Sequence, residues 1–215
     1  MKEYHKIETI FERDMEGSKK LFEGKFRNPT IEYLKDNQWI FTEKVDGTNI
    51  RVHWDGHKVI FGGRTDNAQI PAILVQKLNE LFSGQVNEEI FEQKFGENPI
   101  TIYGEGYGAK IQKGGGLYRE DIGFIVFDIQ VRDIFLEREN IEDLAKSFNL
   151  EVVPIVLKGT IQEAVNYVKS KPNSVIAKQE KEMEGVVGKS LIELKNRKGD
   201  RLIVKIKVRD FEYGV

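Results

Sequence analysis

Glu43-Lys44-Val45-Asp46-Gly47-Thr48-Asn49 sets a lysine at the mouth of a tight polar turn, between two apolar runs at 39–42 and 50–54. Both runs are rich in aromatic and β-branched residues, which predicts two strands, with Lys44 at the end of the first and Asp46 and Gly47 in the reversal. A free lysine, with a pKa of about 10.4, seldom gives up its proton near neutrality. One held in a turn is a nucleophile where burial beside other cations favours the neutral amine. Taken alone, the K-x-D-G pattern fits a solvated lysine before an ordinary hairpin turn as well.

Outward from this stretch, Trp54-Asp55-Gly56-His57 predicts a two-residue hairpin between 50–54 and 58–61. Residues 71–82 predict an amphipathic helix, with Leu74, Leu78, Leu81 and Phe82 on one face, Pro71 in the first turn and Gly84 at the exit. A second helix is expected over 87–95, and two more over 140–148 and 161–169. Residues 99–103, 124–131 and 152–157 read as strands, and 190–194 pairs with 201–208 around a basic tip at 195–200. Strands with helices between them, rather than strict βαβ alternation, predict an α+β fold with largely antiparallel sheets. No linker rich in Pro, Gly or Ser divides the 215 residues, so one domain over 1–215 is expected.

The net charge of -2 means that any contact with a phosphate backbone comes from local basic patches. Cysteine is absent, which excludes disulfides, thiolate metal sites and cysteine nucleophiles. His53 and His57 are four apart, but they fall on the predicted hairpin rather than on a helix that would set them on one face, and no G-x-S-x-G occurs. Gly188-Lys189-Ser190 falls short of a P-loop because Met183 stands where that motif needs glycine. The run from Gly104 to Gly108 misses the dinucleotide fingerprint, its third glycine coming one position early. With no apolar signal core at the start and no run near the roughly eighteen apolar residues of a membrane helix, a cytoplasmic protein is expected.

Five further motifs follow in order: Phe61-Gly62-Gly63-Arg64-Thr65, Tyr103-Gly104-Glu105-Gly106-Tyr107-Gly108, Gly123-Phe124-Ile125-Val126-Phe127-Asp128, Glu184-Gly185-Val186-Val187-Gly188-Lys189 and Ile203-Val204-Lys205-Ile206-Lys207-Val208. Together they resemble the ordered motif set of the covalent nucleotidyltransferases, the superfamily of ATP-dependent RNA and DNA ligases and mRNA capping enzymes. Asn49, where DNA ligases and capping enzymes usually carry arginine, and the run from Gly106 to Gly115 are similar to the second family of phage and bacterial RNA ligases. Asp46 departs from those members of that family that carry histidine there. The resemblance implies two sheets forming an ATP-grasp-like cleft. It also implies a bare catalytic domain, without the OB-fold or helical domain that relatives append.

The same resemblance implies a site. Lys44 attacks the α-phosphorus of ATP and keeps AMP as a phosphoramidate. Lys205 and Lys207, two apart on a strand and so on one face, hold the α-phosphate. Glu105 binds the ribose hydroxyls, Phe127 stacks on adenine, Arg64 contacts sugar or phosphate, and Lys189 binds phosphates. Asn49 supports the nucleotide or the RNA end, and Glu43 helps to select adenine. Glu184, assisted by Asp46, organises Mg²⁺ or Mn²⁺, hard cations that prefer oxygen ligands. Without the resemblance, Phe127 reads as core packing, Arg64 as a surface arginine, and Lys205 and Lys207 as a solvent-facing strand edge. Lys110, Lys113 and Arg119 form one basic cluster, and Lys195, Arg197 and Lys198 another; each reads equally as an RNA contact or a solvated face. The implied function is ATP-dependent sealing of 5′-phosphate and 3′-hydroxyl RNA ends, as in RNA repair, with a protein partner able to add RNA binding. A minimal DNA ligase and a non-catalytic nucleotide or RNA-end binder are the alternatives.

Overall fold

The computed structural model describes residues 1–17 and 21–212. In chain order the strands are β1 (Glu8–Thr9), β2 (Phe11–Arg13), β3 (Leu21–Phe26), β4 (Trp39–Glu43), β5 (Thr48–Trp54), β6 (Val59–Gly62) and β7 (Ile100–Gly108). They continue as β8 (Ile122–Val131), β9 (Ile134–Phe135), β10 (Glu151–Val152), β11 (Ile155–Gly159), β12 (Gly185–Ser190) and β13 (Ile203–Lys207). The helices are α1 (Pro29–Tyr33), α2 (Ala72–Phe82), α3 (Gln85–Phe95), α4 (Arg138–Ser147) and α5 (Ile161–Lys169). The chain gathers into two compact units where the sequence predicts one undivided domain.

The first unit comprises Met1–Tyr4, Asp46–Val153 and Ala177–Gln179. Its sheet runs β10-β8-β7-β5-β6, with β9 on β8, and all its pairs but β10–β8 are antiparallel. The period-2 alternation of β5 buries Ile50, Val52 and Trp54 on one face. Ile100 and Ile102 of β7 and Phe124, Val126 and Ile129 of β8 extend that face, and Leu74, Leu78 and Phe82 of α2 and Phe91 of α3 cover it. Trp54 stacks on Phe91 with ring centroids 5.5 Å apart. Fully buried side chains of this kind contribute about 1.5–3 kcal/mol each.

The second unit holds a five-stranded sheet, β1-β13-β12-β4-β11, and the β2–β3 hairpin. Trp39 and Phe41 of β4, Val186 of β12, and Val204 and Ile206 of β13 face Ile161, Ala164, Val165 and Val168 of α5. That helix starts at a capping box in which Thr160 and Glu163 satisfy each other's backbone N–H.

The α+β class with largely antiparallel pairing is as expected, and two predicted strands are corrected. Residues 152–157 divide at Pro154, which has no N–H to donate to a ladder. β10 pairs in parallel with β8, whereas β11 runs antiparallel to β4. Residues 190–194 are not a strand: β12 ends at Ser190, and Leu191 and Ile192 stand exposed beyond it. The partner of β13 in the C-terminal hairpin is therefore the motif-bearing segment Gly185–Ser190 itself.

Candidate active site

In the second unit the site follows from strand register. β4 and β13 both run antiparallel to β12, which lies between them. The end of β4, the start of β12 and the end of β13 are thereby brought side by side. Lys44, Glu184 and Lys207 occupy those three ends. The Lys44 N–H donates to the Gly185 carbonyl at 2.9 Å, and the Val208 N–H to that of Glu184 at 3.0 Å. The side chains then converge: Glu184 Oε2 lies 2.6 Å from Lys44 Nζ, and Oε1 2.6 Å from Lys207 Nζ. One carboxylate thus bridges two amines, all three side chains being mostly buried. Burial alone would raise the Glu184 pKa, but the charge of Lys44 and the bond from Lys207 prevail and hold it below its ordinary value.

Residues directly opposite in antiparallel strands share a face. Val187 pairs with Lys205, Gly185 with Lys207, and Lys189 with Ile203, so Lys205, Lys207 and Lys189 lie on one side of the sheet. Lys189 sits toward the far end of β12, about 13 Å along the strand from Gly185 at 3.3 Å per residue. Glu43 faces the other way. It pairs with Val186 on the core side of the sheet and is 1% exposed. Its carboxylate accepts from Ser174 Oγ and from the Val175 N–H at 2.9 Å. Burial raises its pKa despite these bonds. The carboxylate thus braces residues 174–176 from the side of the sheet opposite the amines.

In the first unit the polar face of β5, β7 and β8 carries the other predicted residues. Asn49 pairs directly with Glu105. The Asn49 Oδ1 is buried without a hydrogen-bond partner. The β7–β8 ladder shifts register between Tyr103, opposite Asp128, and Gly104, opposite Val126. Phe127 is the extra residue of this bulge, so its half-buried ring leaves the alternation that would otherwise set its direction. Arg64 is exposed in the turn after β6. The turn itself is fastened by Arg51, a fully buried residue whose Nε donates to the Gly63 carbonyl at 2.7 Å and whose Nη2 lies 2.9 Å from Asp66 Oδ1. Arg51 was legible as the polar member between Ile50 and Val52, on the face of Asn49, yet its target was not.

The turn after Lys44 is also fixed here. The Asp46 N–H donates to the Tyr118 hydroxyl at 3.2 Å, and Gln112 Nε2 to the Gly47 carbonyl at 3.1 Å. Gly47 leaves no room for a side chain, since a Cβ would collide with the Gly106 carbonyl. Gln112 lies within the run from Gly106 to Gly115, whereas Tyr118 gave no local signal in the sequence. Among the described residues no three His, Asp or Glu side chains converge as a preformed metal cage. Of the first basic cluster, Lys110 and Lys113 are exposed. Arg119 is engaged: it forks onto Asp121 at 2.6 and 2.8 Å and lies 5.6 Å from the centre of the Tyr107 ring. Burial pushes the Tyr107 hydroxyl up to about 12. Lys195, Arg197 and Lys198 are exposed on a turn whose Asn196 Oδ1 accepts from the N–H groups of Lys198 and Asp200. No helix among the described residues is long and apolar enough to cross a membrane.

Comparison with curated proteins returns no match. Among solved structures the chain resembles RNA ligase from Naegleria gruberi. A mutant with AMP and Mn superposes with a TM-score of 0.62 and 21% identity over 83% of this chain and 52% of that one. The ligase with PPi gives 0.60 and 21% over the same shares, 83% and 52%. A further mutant with ATP and Mn gives 0.61 and 21% over 94% of this chain and 59% of that one. The chain spans about half the length of these structures, and the likeness at such identity is one of fold. The family model described as RNA ligase matches residues 37–207, a span that takes in Lys44, Glu105, Phe127, Glu184 and Lys207 with the strands that carry them. On that match, the chain belongs to the RNA ligase family.

Proposed function

We propose that this protein is an ATP-dependent RNA ligase that joins 5′-phosphate to 3′-hydroxyl RNA ends through AMP bound covalently to Lys44. The observation that carries the reading is the alignment of Lys44, Glu184 and Lys207 by the register of three strands, in a chain of this family. In the first step the Lys44 ammonium gives up a proton to solvent, and its Nζ then bonds to the α-phosphorus of ATP as the bond to pyrophosphate breaks and pyrophosphate leaves. Such transfers depend on positioning and on stabilising charge in the transition state. Lys207 and Lys205 supply positive charge from one sheet face, and Lys189 extends it along β12. AMP then passes to the 5′-phosphate of the RNA, and the 3′-hydroxyl displaces it to form the phosphodiester.

On the first unit, Phe127 stacks on adenine, Glu105 accepts from the ribose hydroxyls, and Asn49 and Arg64 contact the nucleotide. A divalent cation, Mg²⁺ or Mn²⁺, would neutralise phosphate charge, and Glu184 is the residue suited to hold it, directly or through water. One carboxylate completed by phosphates and waters is an ordinary Mg²⁺ arrangement. The Naegleria gruberi ligase structures with ATP or AMP and Mn support this choice of nucleotide and metal.

The test is incubation with α-labelled ATP and Mg²⁺. A protein-AMP adduct that resists alkali, yields to acid and maps to Lys44 is expected. Lys44→Ala and Lys44→Arg should both abolish it, since arginine does not deprotonate in a protein. Adduct persisting in either variant would place the nucleophile elsewhere.

A further inference from the structure

The first four residues are grouped with the first unit, far in sequence from the rest of it, and each makes a contact beside the proposed nucleotide residues. The Met1 carbonyl accepts from Arg51 Nη1 at 3.1 Å, and the Lys2 carbonyl from the Tyr103 hydroxyl at 3.2 Å. Glu3 Oε1 accepts from the Asp66 N–H at 3.1 Å, in the turn that carries Arg64. The Tyr4 hydroxyl donates to Asp128 Oδ2 at 2.7 Å, and Asp128 is fully buried. The Tyr4 ring meets Phe127 edge-to-face, with centroids 5.1 Å apart and planes at 79°. It also packs on Tyr103 at 5.0 Å and Phe135 at 6.0 Å.

Phe127 needs such support. As the extra residue of a bulge it lacks a directly opposed neighbour on β7 to fix its ring. We infer that Met1–Tyr4 is a positioning element for nucleotide binding, in which Tyr4 sets the ring of Phe127 while Met1 and Glu3 secure the Arg64 turn through Arg51 and Asp66. The inference rests on the reading of Phe127 and Arg64 as nucleotide contacts. A ring held in its binding orientation loses less freedom when a base stacks on it, so the brace acts on affinity rather than on the transfer step.

Tyr4→Ala should raise the KM for ATP in self-adenylylation about threefold to tenfold, the range for removing one aromatic edge interaction. The rate at saturating ATP should stay within about twofold of the parent, since no group that touches the reacting atoms changes. Tyr4→Phe keeps the ring and should fall between the two. Amide exchange over residues 124–129, measured without ATP, should quicken in Tyr4→Ala, which tests the brace independently of nucleotide binding. Unchanged exchange together with unchanged KM would overturn the inference. Faster exchange with unchanged KM would uphold the brace and overturn Phe127 as a nucleotide contact. Should Tyr4→Ala fail to fold, Tyr4→Leu fills the space without an aromatic edge and carries the same two measurements.

Discussion

The two units hold their functional groups by different means. In the second, Lys44, Glu184 and Lys207 meet because three antiparallel strands end or begin at one edge, and backbone pairing does the placing. In the first, Phe127 escapes the ladder through a bulge and Arg64 stands on a turn, so other side chains do the placing: Tyr4 meets Phe127, Arg51 fastens the Arg64 turn, and Tyr118 likewise holds the Asp46 N–H. A site built on register tolerates changes in surrounding side chains and is vulnerable to changes in backbone. A site built on braces shows the reverse.

The largest effect expected from this contrast is at Gly185. Its φ is +150°, and a Cβ there would collide with the carbonyl of Ile206 on the paired strand. Gly185→Ala should therefore lower stability by roughly 3 kcal/mol or more, combining backbone strain with a clash that no rotamer relieves. Adduct formation should fall with it. Denaturant unfolding measures the first and labelling the second, and a variant of normal stability would show that the register is not what seats Glu184.

Next in size are the amines themselves. Lys207→Ala and Lys205→Ala should each slow adenylylation by about a hundredfold or more, the range for removing one preorganised group that stabilises transition-state charge. Phe127→Ala should act on ATP affinity, with base stacking contributing about 1–3 kcal/mol. Single-turnover rates across an ATP series separate the two classes. A lysine variant that transfers AMP at the parental rate would break the comparison.

A smaller effect, of known sign, comes from pH. Glu184 has a folded pKa below its ordinary 4.5, so its contribution to stability is present above 4.5 and is lost as pH falls through the lower folded value. Glu43, raised by burial, has the opposite sign: its ionised form is disfavoured in the folded chain, and that penalty is relieved as pH falls. The two trends offset each other in the parent protein and need separate variants. The stability gap between the parent and Glu184→Gln should shrink as pH drops below 4.5. A gap of constant size would show that the two lysines do not depress this carboxyl.

How much of this was legible in the sequence divides along the same line. α2 and α5 were legible because Leu74, Leu78 and Phe82, and Ile161, Val165 and Val168, repeat at helical spacing. The shared face of Lys205 and Lys207 follows from strand period alone. The motif order named the residues of both faces, but not what holds them. The bulge at Phe127 shifts alternation by one residue at the end of the apolar run 124–127, just before Asp128, where no period marks it. Tyr4 meets Phe127, and Glu43 meets Ser174, across more than a hundred residues of chain, and such pairs leave no periodic trace. Pro154 is the one local sign that 152–157 divides, and the β-branched residues on both sides of it outweigh that sign.

The smallest effect separates the two basic clusters, which read alike in the sequence. Arg119 is committed to Asp121 and to the Tyr107 ring, with a pKa raised first by the bonds to Asp121. Lys195, Arg197 and Lys198 project from a turn that Asn196 and the positive φ of Gly199 hold without them. Neutralising these three should leave stability and self-adenylylation unchanged while weakening RNA binding in a salt-dependent way. For single strands the slope of log affinity against log salt changes by about 0.7 for each phosphate that the protein neutralises, so the triple variant should be shallower by roughly 2 if all three touch the backbone. Arg119→Gln should do the opposite, lowering stability with little change in slope. Binding isotherms on one RNA from low to high salt, beside unfolding curves, distinguish the two. An unchanged slope in the triple variant would remove the hairpin tip from the RNA path, and a changed slope in Arg119→Gln would show that a fixed, paired arginine still reaches phosphate.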